Sequence, residues 1–185
     1  MSLRIGLILF VVTCVAQLAF PASMIVGYER TLRLGTPVRI RCELVDPSDL
    51  LRGRYVWLRL EELKIPVDRP EDYLGRKAVY ALLEKDPSGF ARLEGIRSQR
   101  PDAELYVKAE VRRWDPETRE IAVGLPFDRY YMGEDDAPRA ETALRRGAAA
   151  GEAFVVLRVR EGRAAIEGLF VDGRPIAEVL TGQTP

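Results

Sequence analysis

The sequence predicts a mainly β domain, a compact antiparallel barrel or sandwich, carried on an N-terminal transmembrane helix. Three observations predict it. From Thr36 onward apolar and polar residues mostly alternate, the period of half-buried strands. Turn sequences punctuate these runs at short intervals, as in small all-β folds. Before them lies "IGLILFVVTCVAQLAFPASMIV", Ile5 to Val26, which carries no charge.

That apolar run comes first in the chain. At 1.5 Å per residue its 22 residues span roughly 33 Å, enough for a bilayer core. A cleaved signal wants small residues at −3 and −1. Cutting after Ala22 puts Phe20 at −3, and cutting after Ala19 puts Gln17 there. Thr13 before Cys14 does not suit a lipoprotein signal. The expectation is therefore an uncleaved signal anchor over residues 1–28, bent or ended by Pro21, with a β domain over 29–185. Arg4 precedes the run, and Arg30, Arg33, Arg39 and Arg41 follow it. Long domains translocate largely regardless of such charges, so the β domain is expected on the extracytoplasmic side.

The strands follow in order. "PVRIRCELV" sets Val38, Ile40, Cys42 and Leu44 against Arg39, Arg41 and Glu43, giving one dry and one wet face. "DPSD" then supplies a type I turn. "RYVWLRL" sets Tyr55, Trp57 and Arg59 against Val56, Leu58 and Leu60. Val79 to Ile96 reads as a hairpin, with Pro87 and Gly89 at the second and fourth turn positions. A second hairpin turns at "DPET", and a third, Ala153 to Gly173, at Glu161-Gly162. "DAPRAETALRRGAAAG" reads as one short helix, with Asp136 as N-cap and Gly151 as stop.

Two echoes suggest duplicated halves. "LEGI" and "IEGL" place Glu94 and Glu167 73 residues apart, and "GRY" and "DRY" place Tyr55 and Tyr130 75 apart.

Composition narrows the chemistry. Lys+Arg and Asp+Glu both total 28, without the basic excess of a nucleic-acid binder. The absence of His removes Ser–His and Cys–His pairs and imidazole metal sites. Two cysteines, one of them in the apolar run, give the domain no internal disulfide and no Cys-based zinc site. No metal or cofactor is expected.

"LLRGRYVWLRL" resembles the motif of the GDYXXLXY family, membrane-anchored bacterial proteins without an assigned activity. Gly53, Tyr55 and Leu58 match, Arg54 stands where the motif has Asp, and Leu60 stands where it has the final Tyr. "DPSDLLRG", "GLPFDRYYMGE" and "GRAAIEGLFVDG" extend the likeness over nearly the whole chain outside the anchor. The resemblance implies a location in the bacterial envelope, here the inner membrane, beside a polytopic membrane protein. It implies no known chemistry.

Two segments are candidates for partner binding: Tyr55 and Trp57 in the motif strand, and Tyr130, Tyr131 and Glu134 in "FDRYYMGEDDA". Aromatic residues of this kind anchor interfaces. The leading reading is an interaction or accessory module of a membrane complex. A barrel binding a lipid or small molecule is the second reading. The third is a hydrolase of signal-peptidase-like ancestry. There the nucleophile position falls on Val45, and Ser48 lies elsewhere in the turn; other hydrolase chemistry would use paired carboxylates such as Glu94 with Glu167. No catalytic residue is expected.

Overall fold

The computed structural model describes residues 3–44, 55–125, 129–131 and 136–181. Helix α1 (Leu3–Leu34) leads directly into the domain. Eleven strands follow: β1 (Thr36–Leu44), β2 (Tyr55–Leu60), β3 (Leu63–Pro66), β4 (Val79–Lys85), β5 (Ala91–Arg97), β6 (Tyr106–Asp115), β7 (Glu120–Gly124), β8 (Arg129–Tyr131), β9 (Ala153–Arg160), β10 (Arg163–Val171) and β11 (Arg174–Pro175). Helix α2 (Ala137–Ala149) separates β8 from β9, and α3 (Ile176–Thr181) follows β11. The predicted mainly β, antiparallel architecture is correct.

The strands form two sheets, in the orders β11-β10-β9-β1-β2-β8 and β3-β7-β6-β4-β5. Leaving out β11, one sheet reads β10-β9-β1-β2-β8 and the other, taken from its far edge, β5-β4-β6-β7-β3. These are the same order once β1–β5 and β6–β10 are taken as two repeats of five strands. Each sheet therefore mixes strands of both repeats. The two sheets are stitched at equivalent points into a nearly closed barrel. The β4–β5 turn meets β1, where the Arg39 N–H donates to the Gly89 carbonyl. The β9–β10 turn meets β6, where the Lys108 N–H donates to the Gly162 carbonyl. Both glycines take positive φ, +80° and +79°, which an L side chain rarely adopts.

One echo in the sequence marks this duplication. Ladder register slips by one residue between Leu93 and Gly95, and again between Ile166 and Gly168. Glu94 and Glu167 are thus the extra residues of two equivalent β-bulges. The other echo does not mark it. Tyr55 and Tyr131 face each other on neighbouring strands of one sheet, so "GRY" and "DRY" occupy paired strands rather than equivalent ones.

The core fills the space between the sheets. Val38 and Ile40 of β1, Val155 and Leu157 of β9, and Leu169 of β10 are buried from one side. Val79 and Ala81 of β4, Val107 and Ala109 of β6, and Ile121 and Val123 of β7 are buried from the other. Helix α2 adds Ala140, Ala143 and Leu144, and α3 adds Ile176 and Leu180.

The helix ends differ in part from expectation. Asp136 sits at the α2 N-cap, but its side chain makes no capping hydrogen bond. The predicted stop at Gly151 is built as a Schellman motif. The Glu152 N–H donates to Gly147 and the Gly151 N–H to Ala148, with Gly151 at φ +73°. Helix α3 was not expected, since six residues after a turn carry little periodic signal. Pro21 does not end α1, which continues to Leu34.

The Asp172-Gly173 turn into β11 brings Asp172 against Glu152. A hydrogen bond that the protonated Glu152 carboxyl donates to Asp172, and then the like charge of Asp172, push the Glu152 carboxyl above the usual carboxylate range. A raised folded-state pKa contributes stability at low pH that is lost as pH rises through it. Asp172→Asn should therefore move the urea midpoint upward relative to wild type as pH rises from about 4 to neutral, because the variant no longer loses that stability. Urea titrations at several pH values check this.

Candidate functional site

The predicted site residues divide three ways. Gly53, Arg54 and Glu134 lie outside the described residues. Tyr55 and Trp57 are on β2 and Tyr131 is on β8, with Tyr55 opposite Tyr131 and Trp57 opposite Arg129. Leu58 is buried, and Leu60 is half-buried against the core. Tyr130 is half-buried and packs on the core as well. Burial, and then nearby Tyr28, push its phenol above the usual tyrosine range.

Two surfaces stand out, and the predicted residues supply neither. The first is the outer face of β1, β9 and β10. Buried and half-buried residues alternate strictly along β9, which turns Phe154, Val156 and Arg158 outward. Phe154 pairs with Phe170 of β10, and the two rings stack at 5.3 Å. Phe90, at the β4–β5 turn, meets Phe154 edge-on at 5.6 Å. Two arginines lie on these rings: Arg39 over Phe154 at 5.3 Å, and Arg41 over Phe90 at 4.3 Å. All three rings are half-buried and both arginines are exposed. The sequence had marked Arg39 and Arg41 as the wet face of β1. It gave no sign that Phe90, Phe154 and Phe170, up to 80 residues apart, come together there.

The second surface is the junction of α1 with the domain. The last turns of α1 lie on the same outer face, nearer the β9–β10 turn. The Tyr28 hydroxyl lies 3.4 Å from the Ile166 carbonyl. Thr31 is buried and donates to the Gly27 carbonyl at 3.0 Å. The Gly35 N–H donates to Thr31, and Arg158 donates to the Gly35 carbonyl at 3.3 Å. Arg158 is itself held by two bonds, 2.8 and 2.7 Å, to the bulge residue Glu167. Gly35 has no room for a side chain, since a Cβ there would stand 2.4 Å from the Thr31 carbonyl oxygen.

Beside this contact opens a cleft of about 620 Å³. Met24, Gly27, Tyr28 and Thr31 line it from α1, and Val107 to Glu110 line it from β6. Gly162 to Ala164 and Lys77-Ala78 complete it.

A third, open and strongly charged groove runs past Arg41, Glu61, Glu62 and Arg113. Its carboxylates face cations: Glu61 lies 3.7 Å from Arg41, and Glu62 3.9 Å from Arg113. This is the pattern of solvated surface pairs. Among the described residues no three His, Cys, Asp or Glu side chains converge on a point that could hold a metal ion. Glu94 and Glu167 belong to separate sheets, and Glu167 is engaged by Arg158.

Helix α1 includes a stretch, Ile5–Leu34, long and apolar enough to cross a membrane, with mean hydropathy 2.2 over its most apolar window. No curated protein and no solved structure matches the chain. A family model described as the GDYXXLXY protein matches residues 17–169, from within α1 through most of β10, and the chain belongs to that family.

Proposed function

We propose that the protein is a single-pass anchored accessory subunit of a membrane complex, and that it acts by protein–protein contact. The observation that carries this reading is the Arg39–Arg41–Phe90–Phe154–Phe170 cluster. Aromatic and arginine side chains together are the usual composition of interface hot spots. Here they form one connected set on a sheet face beside α1, with both arginines exposed.

The anchor supports the same reading. A helix of 32 residues is roughly 48 Å long, against a bilayer core of about 30 Å. The remaining length corresponds to the turns that lie on the domain. The outer face is then held close to the bilayer, where a polytopic membrane protein would present its loops. In this reading the domain faces the extracytoplasmic side of a bacterial inner membrane.

In vivo photo-crosslinking from position 154 of the full-length protein tests this. A single membrane protein should be captured, and the Arg39→Ala/Arg41→Ala variant should lose that product at least tenfold at unchanged protein level. Recovery of the protein alone, with no crosslinked partner, refutes the reading.

A further inference from the structure

We infer that the junction cleft is a binding site for one anionic phospholipid, with the phosphate held by Lys77, Lys108 and Arg163 and an acyl chain running along α1 from Met24. The inference rests on the reading of α1 as a membrane anchor.

Position is the first argument. The cleft begins at Met24, within the uncharged run that ends before Glu29, and extends to Thr31. It therefore straddles the level at which an apolar span gives way to a polar domain. A ligand lying there has one end in hydrocarbon and the other in water. Tyr28, a residue type favoured at the membrane–water boundary, sits at that level.

Charge is the second. The lining is largely apolar, with the buried Val107 and Ala109 joined by Ala164 and the exposed Met24. The rim carries three exposed cations, Lys77, Lys108 and Arg163, from three separate chain segments. None of the three is in an ion pair among the described residues. The one acidic residue of the rim, Glu110, already lies 3.8 Å from Arg112. The arrangement is an apolar trough ending in unneutralised positive charge, complementary to an acyl chain joined to a phosphate. Gly27 contributes directly. A Cβ at this position would stand 2.9 Å from an Arg163 guanidinium nitrogen, so the glycine lets Arg163 reach across to α1.

The internal duplication is the third. Lys108 and Arg39 are equivalent, since each donates its backbone N–H to the turn glycine of the other sheet. Counting on from these pairs, Glu110 corresponds to Arg41, and Arg163 to Phe90. In the first repeat Arg41 covers the Phe90 ring at 4.3 Å. In the second repeat the corresponding Glu110 and Arg163 form no ion pair, although their charges are opposite. The two repeats thus furnish this position differently: a guanidinium laid on a ring in the first, and two opposite charges left apart beside α1 in the second.

The experiment uses the full-length protein in mild detergent, with native mass spectrometry as readout. Phosphatidylglycerol, phosphatidylcholine and inorganic phosphate are added in parallel. The wild type should retain phosphatidylglycerol at least tenfold better than phosphatidylcholine, without competition from millimolar inorganic phosphate. Lys108→Gln/Arg163→Gln should lose that preference about tenfold or more, as two cation–headgroup attractions are removed. Gly27→Leu, which displaces Arg163 by bulk rather than by charge, should lose it as well. Arg30→Gln, a cation outside the cleft, should leave it unchanged. Equal retention of the two lipids, equal loss in Arg30→Gln, or competition by inorganic phosphate would each overturn the inference. Alkaline extraction of membranes checks the anchor separately. A protein released by it fails as an anchored subunit, whereas one that stays embedded and shows no lipid preference fails only here.

Discussion

Leu58→Ala should destabilise the protein by about 2–5 kcal/mol, the range for truncating a buried leucine that leaves a cavity. Leu58 is 3% exposed and lies at the centre of the motif strand, opposite Leu44 of β1. β2 is bonded on both sides, to β1 and to β8, so the strand cannot shift outward to close the gap. The comparison that gives this meaning is Arg41→Ala. Its cation–π contact with Phe90 is exposed and contributes roughly 0.5–1 kcal/mol. Urea unfolding of the full-length protein in mild detergent should separate the two clearly. Crosslinking should order them the other way, with Arg41→Ala losing the partner and Leu58→Ala keeping it at temperatures where it remains folded. The outcome that would reverse this assignment is a Leu58→Ala protein of near wild-type stability that no longer crosslinks. The motif strand would then be a contact surface, not a structural element.

Gly35→Val is the second large effect. The new side chain meets the Thr31 carbonyl oxygen at 2.4 Å, with the Arg158 Cβ and the Val159 nitrogen both at 3.0 Å. Two of these are backbone atoms, and none is the free end of a side chain. Overpacking of this kind costs about 1–3 kcal/mol. The contact most easily given up is that between the last turns of α1 and β9–β10. Trypsin reports it, because Arg30 and Arg33 are exposed while their backbone is helical. Where cleavage follows the population of the open form, each 1.4 kcal/mol is about tenfold in rate. Cleavage after Arg33 should therefore accelerate by roughly tenfold or more, with the β domain remaining as a resistant fragment. Unchanged cleavage would mean that α1 is not seated on the sheet through Gly35.

These two substitutions bear on what the sequence could show. Turn chemistry was legible because it is local. Asp86 accepts hydrogen bonds from the Ser88 and Phe90 N–H groups, as a "DPSG" turn should, and the Glu161-Gly162 turn takes the two positive φ values of a tight hairpin. Alternation correctly identified Val38, Ile40 and Cys42 as inward-facing. It could not identify partners, because a period of two says which face is dry and nothing about which strand lies alongside. The exchange of strands between the repeats was therefore hidden, apart from the faint "LEG" and "IEG" echo, which survives because both copies need the same bulge. The extent of α1 was missed for a different reason. Charges at Glu29, Arg30 and Arg33 end the apolar run, yet the helix continues because its last turns are held by the sheet. The Arg–Phe face and the junction cleft were illegible in principle. Each gathers residues from four or more elements, and each residue alone is ordinary for its strand.

The exchanged strands also set the order in which the protein can mature. β1 follows α1 directly and leaves the ribosome before every other strand of its sheet. Its neighbour β9 lies far downstream: Thr36 pairs with Val159, 123 positions later. The first repeat cannot complete a sheet of its own, since its strands are divided between two sheets that both need the second repeat. Contacts of such long range make folding slow. Nearly the whole domain must then emerge before either sheet can be completed, although the β1–β2 and β4–β5 pairs can form earlier. Strands with open edges in that interval are exposed to pairing with other chains. A newly made molecule would depend on chaperones until residue 171 has been delivered.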